Sequence, residues 1–507
     1  MSSKGIMRKG RGHDSGVSKG AGANESSPIG NEGASCSGVS KGAGANESSP
    51  IGNEGASCAP TRSLRGRRKE SNVVRDPCEI ECLEKSPPPL SKTKGLITVK
   101  SRAGQDNGIV RKKGAQARAG KDSGVSKGSK IKGLTPKDNV TQVLLTTLDK
   151  LRIRKSPRSE STAVINTIVE NIVKYLKRQT DCFRQVTSLR TGSYYENVKV
   201  GQPDEFDVIL AIRVQSVDLR EFGDDGAFYS VAVKEKSRGH PLADFLHGHG
   251  VVSASEMLAK FRTHVKNALD STAMTDVQVE RKRKGSPAVT LLVKKDGLQI
   301  SLDVVLGLEV HSTWPPVTKS GFLIEKWLGT KVKKEFRFKP FYLVPKYEGN
   351  GSDAQDGICA KDAWRISFSH VEKDILKSHG SAKTCCEAQG TKCCRRECLK
   401  LLKHLLEKLK EKYPKDISKF CSYHAKSTLF HACAEYADDS DWKMEQLDWC
   451  FLRLLEDFQN WLRKGVLPNF FIPTHNVLGS KCNQKSCNLL ADYIDFEKNN
   501  MFPIFLE

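Results

Sequence analysis

The sequence predicts an α+β protein, with a mixed β-sheet that follows a long N-terminal helix and precedes an α-helical lobe. Apolar residues recur at helical spacing between residues 143 and 176. Two β-rich segments, 287–293 and 299–308, flank Asp296-Gly297, a dipeptide typical of hairpin turns. From about Trp364 onward the periodicity becomes helical. Its clearest apolar stripe consists of Leu399, Leu402, Leu406 and Leu409.

The N-terminal helix is predicted to begin near Val140 and to be interrupted near Pro157, because proline removes a helical hydrogen bond. A basic cluster lies between its two halves and consists of Arg152, Arg154, Lys155 and Arg158. The local sequence leaves open whether this cluster is a binding surface or a solvated helix face.

The first part of the chain lacks the material for a core. Residues 1–140 contain no Phe, Tyr or Trp, and they carry 26 Lys or Arg against 13 Asp or Glu. A 22-residue segment, 15–36, recurs unchanged at 37–58 with almost no apolar side chains. Since low hydrophobicity with excess charge cannot offset chain entropy, we expect a disordered basic tail over residues 1–138.

The composition of the chain limits its possible binding partners and its possible cellular compartment. The net charge of +23 points toward polyanions such as nucleic acids, although acidic proteins and anionic lipids remain alternatives. The sequence shows neither an apolar run long enough for a transmembrane segment nor a secretory signal, so we expect a protein of the cytosol and nucleus. The 16 cysteines are then expected to be buried thiols and metal ligands.

Acidic residues on two predicted strands indicate a metal-dependent site. Residues two apart on a strand share a face, so Glu205 and Asp207 present their carboxylates together while Phe206 points into the core. Asp303 lies in the apolar strand 299–308, where an ionised carboxylate is costly without a partner. Two magnesium ions would supply that partner and could activate an attacking hydroxyl and stabilise a leaving pyrophosphate.

A small loop precedes the acidic pair. Gly192 leaves room for a phosphate to approach the backbone, and the Ser193 hydroxyl can donate to its oxygens. A lone Gly-Ser is usually a turn, and alternating acids are usually the wet face of a strand. In this order and spacing, however, the elements match the pattern of polymerase-β-like nucleotidyltransferases.

A second cluster has the spacing of a zinc site. His379, Cys385, Cys386 and Cys393 form H-x5-CC-x6-C, a ligand set that suits tetrahedral, structural zinc. Reduced or redox-active thiols are the alternative interpretation. Basic residues surround the segment, and Arg396, Lys400 and Lys403 follow it along one predicted helix stripe that could contact a DNA backbone.

From about residue 140 to its end, the chain resembles the vertebrate cyclic GMP-AMP synthase family, in the Mab-21 group of nucleotidyltransferases. The stretches that carry the resemblance include LRTGSYYENVKV, PDEFDVIL, QISLDVVLGLEV, KPFYLVPK, WRISFSH and KTCCEAQGTKCCRRECLKLL. The family makes a cyclic dinucleotide with 2′-5′ and 3′-5′ linkages from ATP and GTP, stimulated by double-stranded DNA, for innate immune and antiviral signalling. The resemblance implies a spine helix and nucleotidyltransferase core over residues 139–330 and a helical lobe with a zinc thumb over residues 331–507.

The resemblance also implies roles for individual residues. Glu205, Asp207 and Asp303 match the catalytic ligands of two Mg²⁺ ions, with Mn²⁺ as a substitute. The H-x5-CC-x6-C set matches one structural Zn²⁺. The nucleotide-binding residues implied are Thr191, Gly192 and Ser193 in the triphosphate loop, Arg365, Ser367 and Ser369 at the guanine, and Lys403, Ser422 and Tyr423 at phosphates and base.

For DNA, the family uses the spine helix, the thumb and a second basic loop, and assembles as a homodimer on two duplexes. The implied residues are Arg152, Arg154, Arg158, Arg281, Lys282, Lys383, Lys392, Arg396 and Lys400. The resemblance implies a nucleosome contact as well, but Ser216 and Glu235 stand where family arginines make it, which puts tight nuclear tethering in doubt here. The carboxylate motif alone also allows a polymerising or tailing enzyme, and an inactive zinc-stabilised DNA-binding scaffold is the non-enzymatic alternative.

Overall fold

The structure is a computed structural model that describes residues 136–153, 155–234, 240–295, 297–380, 385–386, 392–479 and 481–507. The predicted disordered tail, as far as residue 135, lies outside these described residues. Within them the predicted fold class is confirmed, since a mixed sheet is followed by a helical lobe.

The described residues form eleven α-helices. Their bounds are α1 Pro136–Lys150, α2 Lys155–Leu176, α3 Gly192–Tyr195, α4 Ala254–Ser271, α5 Thr330–Arg337, α6 Ser369–Lys377, α7 Arg395–Lys412, α8 Pro414–Ile417, α9 Ser422–Glu435, α10 Leu447–Lys464 and α11 Gln484–Asn499.

Thirteen strands are described, eleven of them in one sheet. Their bounds are β1 Thr187–Thr191, β2 Glu205–Val214, β3 Val217–Phe222, β4 Phe228–Val233, β5 Leu246–His247, β6 Val251–Val252, β7 Val277–Val279, β8 Ala288–Lys295, β9 Leu298–Val310, β10 Phe341–Val344, β11 Ala354–Gln355, β12 Ile358–Cys359 and β13 Trp364–Ser367. The main path is β1-β2-β9-β10-β13-β4-β6-β5, with β3 on β4, β8 on β9 and β7 on β8. Strands β11 and β12 form a separate hairpin.

The centre of the sheet is the parallel pair β2 and β9, whose register pairs ten residues from Glu205 with Ser301 to Val214 with Val310. Both strands are rich in Val, Ile and Leu, as expected for strands covered on both faces. The predicted hairpin at Asp296-Gly297 agrees with the antiparallel pairing of β8 and β9, although Asp296 itself lies outside the described residues.

The N-terminal helix is divided, as predicted, but at a different place. Helix α1 ends at Lys150 and α2 begins at Lys155, so Pro157 lies inside the first turn of α2. A proline in the first turn is tolerated because the N–H it lacks has no helical acceptor there. Leu144 on α1 and Ile165 and Ile172 on α2 are fully buried.

The helical lobe is built on the predicted leucine stripe of α7, whose four leucines are buried. Helical structure begins later in the chain than predicted, because Trp364 is the first residue of β13 and the first helix after it is α6. Strands β10 and β13 extend the sheet beyond residue 330, and one apolar core runs from Leu144 to Phe505. The division into domains at residue 330 stays a prediction.

Among the described helices, none is both long enough and apolar enough to cross a membrane.

Candidate active site

Three carboxylates meet where the two central parallel strands lie side by side. Glu205 and Asp207 are the first and third residues of β2, and Asp303 lies on β9. The register pairs Asp207 directly with Asp303. Neighbouring strands lie about 4.8 Å apart, and paired residues project to the same face. The sheet therefore brings the three predicted acidic residues together on one face.

The electrostatics of this cluster favour a bound cation. Burial, and then the negative charges of Glu205 and Asp303, raise the pKa of Asp207 to about 7. Burial also raises the pKa of Asp303, although the Thr290 hydroxyl donates a 2.6 Å hydrogen bond to its Oδ1. Lys199 Nζ lies 3.0 Å from Glu205 Oε2 and offsets part of the negative charge. Grouped carboxylate oxygens are the ligands that Mg²⁺ prefers, so these residues fit the predicted divalent-metal site.

The loop that precedes the acidic pair packs against it. Thr191, the last residue of β1, pairs with Asp207, and Gly192 follows with a φ of +81°. A Cβ at position 192 would lie 1.9 Å from Asp207 Oδ2. Glycine is therefore required here both by the left-handed backbone and by the close approach to the carboxylate. Ser193 continues the turn and lines the adjoining cavity.

Two adjoining cavities open beside the carboxylates, with volumes of about 230 Å³ and 490 Å³. Predicted residues that line the smaller cavity are Thr191, Gly192, Ser193, Glu205, Asp207, Ser369, Lys403, Ser422 and Tyr423. Predicted residues that line the larger cavity are Thr191, Asp207, Arg365, Ser367, Ser369 and Tyr423. Every predicted nucleotide-binding residue thus lines at least one cavity, and the shared residues connect the two.

Two lysines border the smaller cavity, of which Lys403 is buried and Lys426 is half-buried. Lys403 Nζ donates a 2.9 Å hydrogen bond to the Val198 carbonyl, and burial lowers the pKa of this lysine to about 8. The prediction that Lys403 shares a DNA-facing stripe with Arg396 and Lys400 was wrong, because Lys403 is buried at the cavity. Lys426, which the sequence analysis missed, lies 2.8 Å from Glu196 Oε1 and 3.1 Å from Glu372 Oε2.

The larger cavity contains further residues that sequence reasoning missed. They are Lys346, Lys419, Asn469, His475 and Lys481. Burial lowers the pKa of Lys346 to about 8. Isolated lysines and a single histidine carry no local signal of function, and only the fold collects them around one space.

The four predicted zinc ligands converge. The ligand atoms of His379, Cys385, Cys386 and Cys393 all lie within 4.8 Å of one another. The Cys386 sulfur lies 3.9 Å from that of Cys385 and 3.8 Å from that of Cys393. Four such ligands could close a tetrahedral zinc site.

The orientation of His379 fits a metal ligand. Its Nδ1 lies 2.9 Å from the Leu376 carbonyl, while its buried Nε2 has no hydrogen-bond partner among the described residues. A histidine that donates from one ring nitrogen to a carbonyl offers the other nitrogen to a metal. The cluster joins the end of α6 to the start of α7, since the flanking elements end at Lys377 and begin at Arg395.

Most of the predicted DNA-binding residues lie on or beside the N-terminal helices and α7, and α1 packs against α7. Burial lowers the pKa of Lys400, and the positive charges of Arg396 and Arg152 act in the same direction, opposed by Glu397, whose Oε1 lies 3.7 Å from Lys400 Nζ. Arg158 Nη2 donates a 2.8 Å hydrogen bond to Asn197 Oδ1. Lys392 is exposed before α7.

The remaining predicted DNA residues lie elsewhere or cannot be placed. Arg281 and Lys282 are exposed in the connection between β7 and β8. Arg154 and Lys383 lie outside the described residues, as does Glu235 of the predicted nucleosome positions.

Known proteins match this chain over most of the described part. Residues 194–378 match the Mab-21 protein nucleotidyltransferase domain, and residues 394–496 match the Mab-21 protein HhH/H2TH-like domain. A cyclic GMP-AMP synthase from Sus scrofa is 45% identical over 365 residues, which cover 71% of this chain and 72% of the relative. One from Mus musculus is 44% identical over 359 residues, covering 71% and 69%.

A more distant relative is a cyclic GMP-AMP synthase-like receptor from Magallana gigas, 26% identical over 341 residues that cover 64% of this chain and 53% of the relative. The matched domains contain Glu205, Asp207 and Asp303 in the first and most of the helical lobe in the second. The chain therefore belongs to the Mab-21 family of nucleotidyltransferases, close to the mammalian cyclic GMP-AMP synthases.

Proposed function

We propose that this nucleotidyltransferase joins ATP and GTP into cyclic GMP-AMP with 2′-5′ and 3′-5′ linkages, that double-stranded DNA stimulates it, and that the product serves innate immune signalling. The observation that carries the proposal is that Asp207, which pairs with Asp303 and shares β2 with Glu205, lines both of two adjoining cavities whose other groups suit a nucleotide. A cyclase needs room for two nucleotides beside one reacting centre.

Glu205, Asp207 and Asp303 would hold two Mg²⁺ ions, which when bound would activate the attacking hydroxyl and stabilise the leaving pyrophosphate. The chain's own groups position the triphosphate. Gly192 lets the backbone approach the phosphates, and the cations Lys403 and Lys426 line the smaller cavity, where they would compensate negative charge. The smaller cavity thus suits the triphosphate of the donor nucleotide.

The larger cavity suits the bases. Arg365, Ser367 and Ser369 offer donors along one wall, and the Ser369 hydroxyl is buried without a hydrogen-bond partner among the described residues. The Tyr423 ring lines both cavities and is held by a 3.0 Å hydrogen bond from its hydroxyl to Glu372 Oε1. Arginine can donate two hydrogen bonds to the O6 and N7 atoms of guanine, which supports GTP as one substrate.

Contacts between α2 and the Gly192 loop support activation by DNA. Arg158 donates to Asn197, and the Tyr194 hydroxyl lies 3.0 Å from the Arg158 carbonyl. A phosphate that engages Arg158 would therefore act on the loop that packs against Asp207. DNA would favour the conformation of this loop that binds DNA better, which is a population shift.

The Cys/His cluster would hold one structural zinc ion and fix the segment that carries Lys392 and Arg396 next to Arg152. Together these cations would bind the phosphate backbone of DNA, recognising its shape and charge and not its base sequence. Arg281 and Lys282 would form a second DNA surface, which supports a homodimer on two duplexes. Cytosol and nucleus remain the expected compartments.

The decisive experiment is mass spectrometry of the product formed from ATP, GTP and Mg²⁺ with and without long duplex DNA. We expect cyclic GMP-AMP that increases with DNA. Asp303→Asn should lower synthesis by at least about a thousandfold, or about 4 kcal/mol of transition-state stabilisation, because a metal ligand is lost. DNA binding should be unchanged, and Asp276→Asn, at an exposed carboxylate before β7, is the matched control.

Other products would identify the alternatives. Incorporation of labelled nucleotide into a polymer would indicate a tailing enzyme. Absence of nucleotide binding at millimolar Mg²⁺ would indicate a DNA-binding scaffold and contradict the proposal.

A further inference from the structure

A histidine in the larger cavity connects Arg365 to an aspartate on another element. His475 Nδ1 lies 2.6 Å from Asp225 Oδ2, and His475 Nε2 lies 3.1 Å from Arg365 Nη2. The histidine belongs to the segment between α10 and α11, Asp225 to the turn between β3 and β4, and Arg365 to β13. The sequence analysis assigned no role to Asp225 or His475.

The hydrogen-bond chemistry fixes the protonation of this chain of residues. Arginine can only donate, so Nε2 of His475 must accept from Arg365. The imidazole proton is then on Nδ1, where it is donated to the Asp225 carboxylate. His475 is consequently neutral and in one tautomer, because a proton on Nε2 would face the guanidinium.

The aspartate is itself held firmly. Its Oδ1 accepts a 2.9 Å hydrogen bond from the Ala227 amide, and its carbonyl accepts a 2.8 Å hydrogen bond from the Thr474 hydroxyl. Burial alone would raise the pKa of Asp225, but the hydrogen bonds from His475 and Ala227 lower it below its ordinary value. The carboxylate is thus ionised and oriented, as a group that fixes a histidine tautomer must be.

Packing limits the remaining freedom of Arg365. Its guanidinium lies 5.9 Å from the centre of the Phe228 ring, and the His475 ring meets the same phenylalanine edge-on at 6.4 Å. His475 itself is only 4% exposed. Because one guanidinium nitrogen of Arg365 donates to a buried histidine, the guanidinium is held by its neighbours and does not rotate freely.

We propose that Asp225 and His475 are positioning residues that orient the Arg365 guanidinium for a purine base bearing acceptor atoms, and so determine the affinity for GTP. The inference rests on the proposed role of Arg365 in binding guanine. It means that the preference for one base depends on the contact between His475, in the segment between α10 and α11, and Asp225, in the turn between β3 and β4.

The test distinguishes between the two hydrogen bonds of His475, one to Asp225 and one to Arg365. His475→Asn keeps a donor toward Asp225 but removes the acceptor for Arg365. We expect the KM for GTP to rise about 10- to 100-fold, because a hydrogen bond to a charged group is lost, while the KM for ATP and kcat change about twofold or less. His475→Gln places an amide oxygen near the Nε2 position and should restore part of the affinity.

A second variant changes the partner of His475 Nδ1. Asp225→Asn offers an amide donor to Nδ1 and so favours the wrong tautomer, and it should also raise the KM for GTP selectively. Thr474→Val is the matched control, because it removes another bond to Asp225 without touching Arg365, and it should leave the KM for GTP within about twofold. Melting temperatures of all variants without nucleotide report on folding.

The outcomes distinguish this inference from the proposed function. Direct binding of a non-hydrolysable GTP analogue is measured beside synthesis. If Arg365→Ala weakens analogue binding but the His475 and Asp225 variants do not, or if they weaken ATP and GTP equally, the inference is overturned while the function stands. If the protein makes no cyclic product yet binds the analogue in a way that depends on both Arg365 and His475, the function fails and the inference is supported.

Discussion

At the scale of single residues, Gly192 is the most constrained position of the active site. An alanine there would require an unfavourable positive φ and would drive its Cβ to 1.9 Å from Asp207 Oδ2. We expect Gly192→Ala to lower synthesis at least about 100-fold, since displacement of a metal ligand by a fraction of an ångström disrupts the geometry of the reacting groups. Steady-state product formation measures the effect.

Gly357→Ala is the control for backbone strain alone. Gly357 has a φ of +77°, close to that of Gly192, but a Cβ there would meet nothing within 4 Å. Gly357→Ala should lose about 1 kcal/mol of stability from backbone strain alone and keep its activity, whereas Gly192→Ala should lose more stability, because its Cβ also overlaps Asp207, and should lose activity. Equal activities of the two variants would show that the contact with Asp207 is unimportant.

Residue patterns predicted the three grouped carboxylates better than the residues that surround them. The acid-x-acid spacing was sufficient to place Glu205 and Asp207 on one face, because strand geometry fixes it locally. Lys346, Lys426 and His475 could not be predicted in this way, since each is a single polar residue whose position depends on distant elements. The burial of these three side chains, on which their chemistry depends, arises only when the chain folds.

At the scale of elements, the strands were predictable but their register was not. Alternation and the Asp296-Gly297 turn indicated β2, β8 and β9 from local sequence. The pairing of Asp207 with Asp303 depends instead on a parallel contact between strands whose paired residues are 96 positions apart in the chain, for which no local rule exists.

The four ligand atoms of the Cys/His cluster lie within 4.8 Å of one another, so a metal ion bound there should stabilise the fold. Removal of the metal with a chelator, or Cys393→Ala, should lower the melting temperature by about 5–10 °C, corresponding to a loss of about 3 kcal/mol in a domain of this size. Without the metal, the buried His379 Nε2 has no hydrogen-bond partner among the described residues. Calorimetry together with zinc analysis of the purified protein measures the effect.

The matched variant is Cys359→Ala, which removes a half-buried thiol on β12 that is not part of the cluster. Its melting temperature should change by less than about 2 °C and should respond to chelator as in the wild type. A protein that contains no zinc and melts at the same temperature with and without chelator would contradict the assignment.

At the scale of the whole molecule, charge is distributed unevenly. Residues 1–140 carry 26 basic and 13 acidic residues, so about half of the net charge of +23 lies in that segment. In the rest of the chain, Arg152 and Arg396 both act electrostatically on Lys400, and α1 packs against α7. Composition predicted a polyanion partner, but the location of its binding surface depends on how α7 packs beside the N-terminal helices.

The stability of the whole fold should depend on pH through its buried histidines. Burial lowers the pKa of both His370 and His424 to about 4, whereas a histidine in the unfolded chain titrates near 6.5. Between pH 6.5 and 4 the unfolded chain therefore binds protons that the folded protein does not. The free energy of unfolding consequently falls as the pH decreases through this window and is fully present above it.

His370→Phe isolates one of these contributions. His370 is 7% exposed and meets the Tyr342 ring edge-on at 4.9 Å, so a phenylalanine can occupy the same space without a titrating group. Between pH 7 and 4.5, the variant should lose about 2–3 kcal/mol less unfolding free energy than the wild type, as measured by urea denaturation at each pH without nucleotide. Loss of any metal at low pH affects both proteins alike and cancels in the difference. Parallel curves for the two proteins would mean that His370 titrates normally in the fold, and that its burial does not hold it neutral.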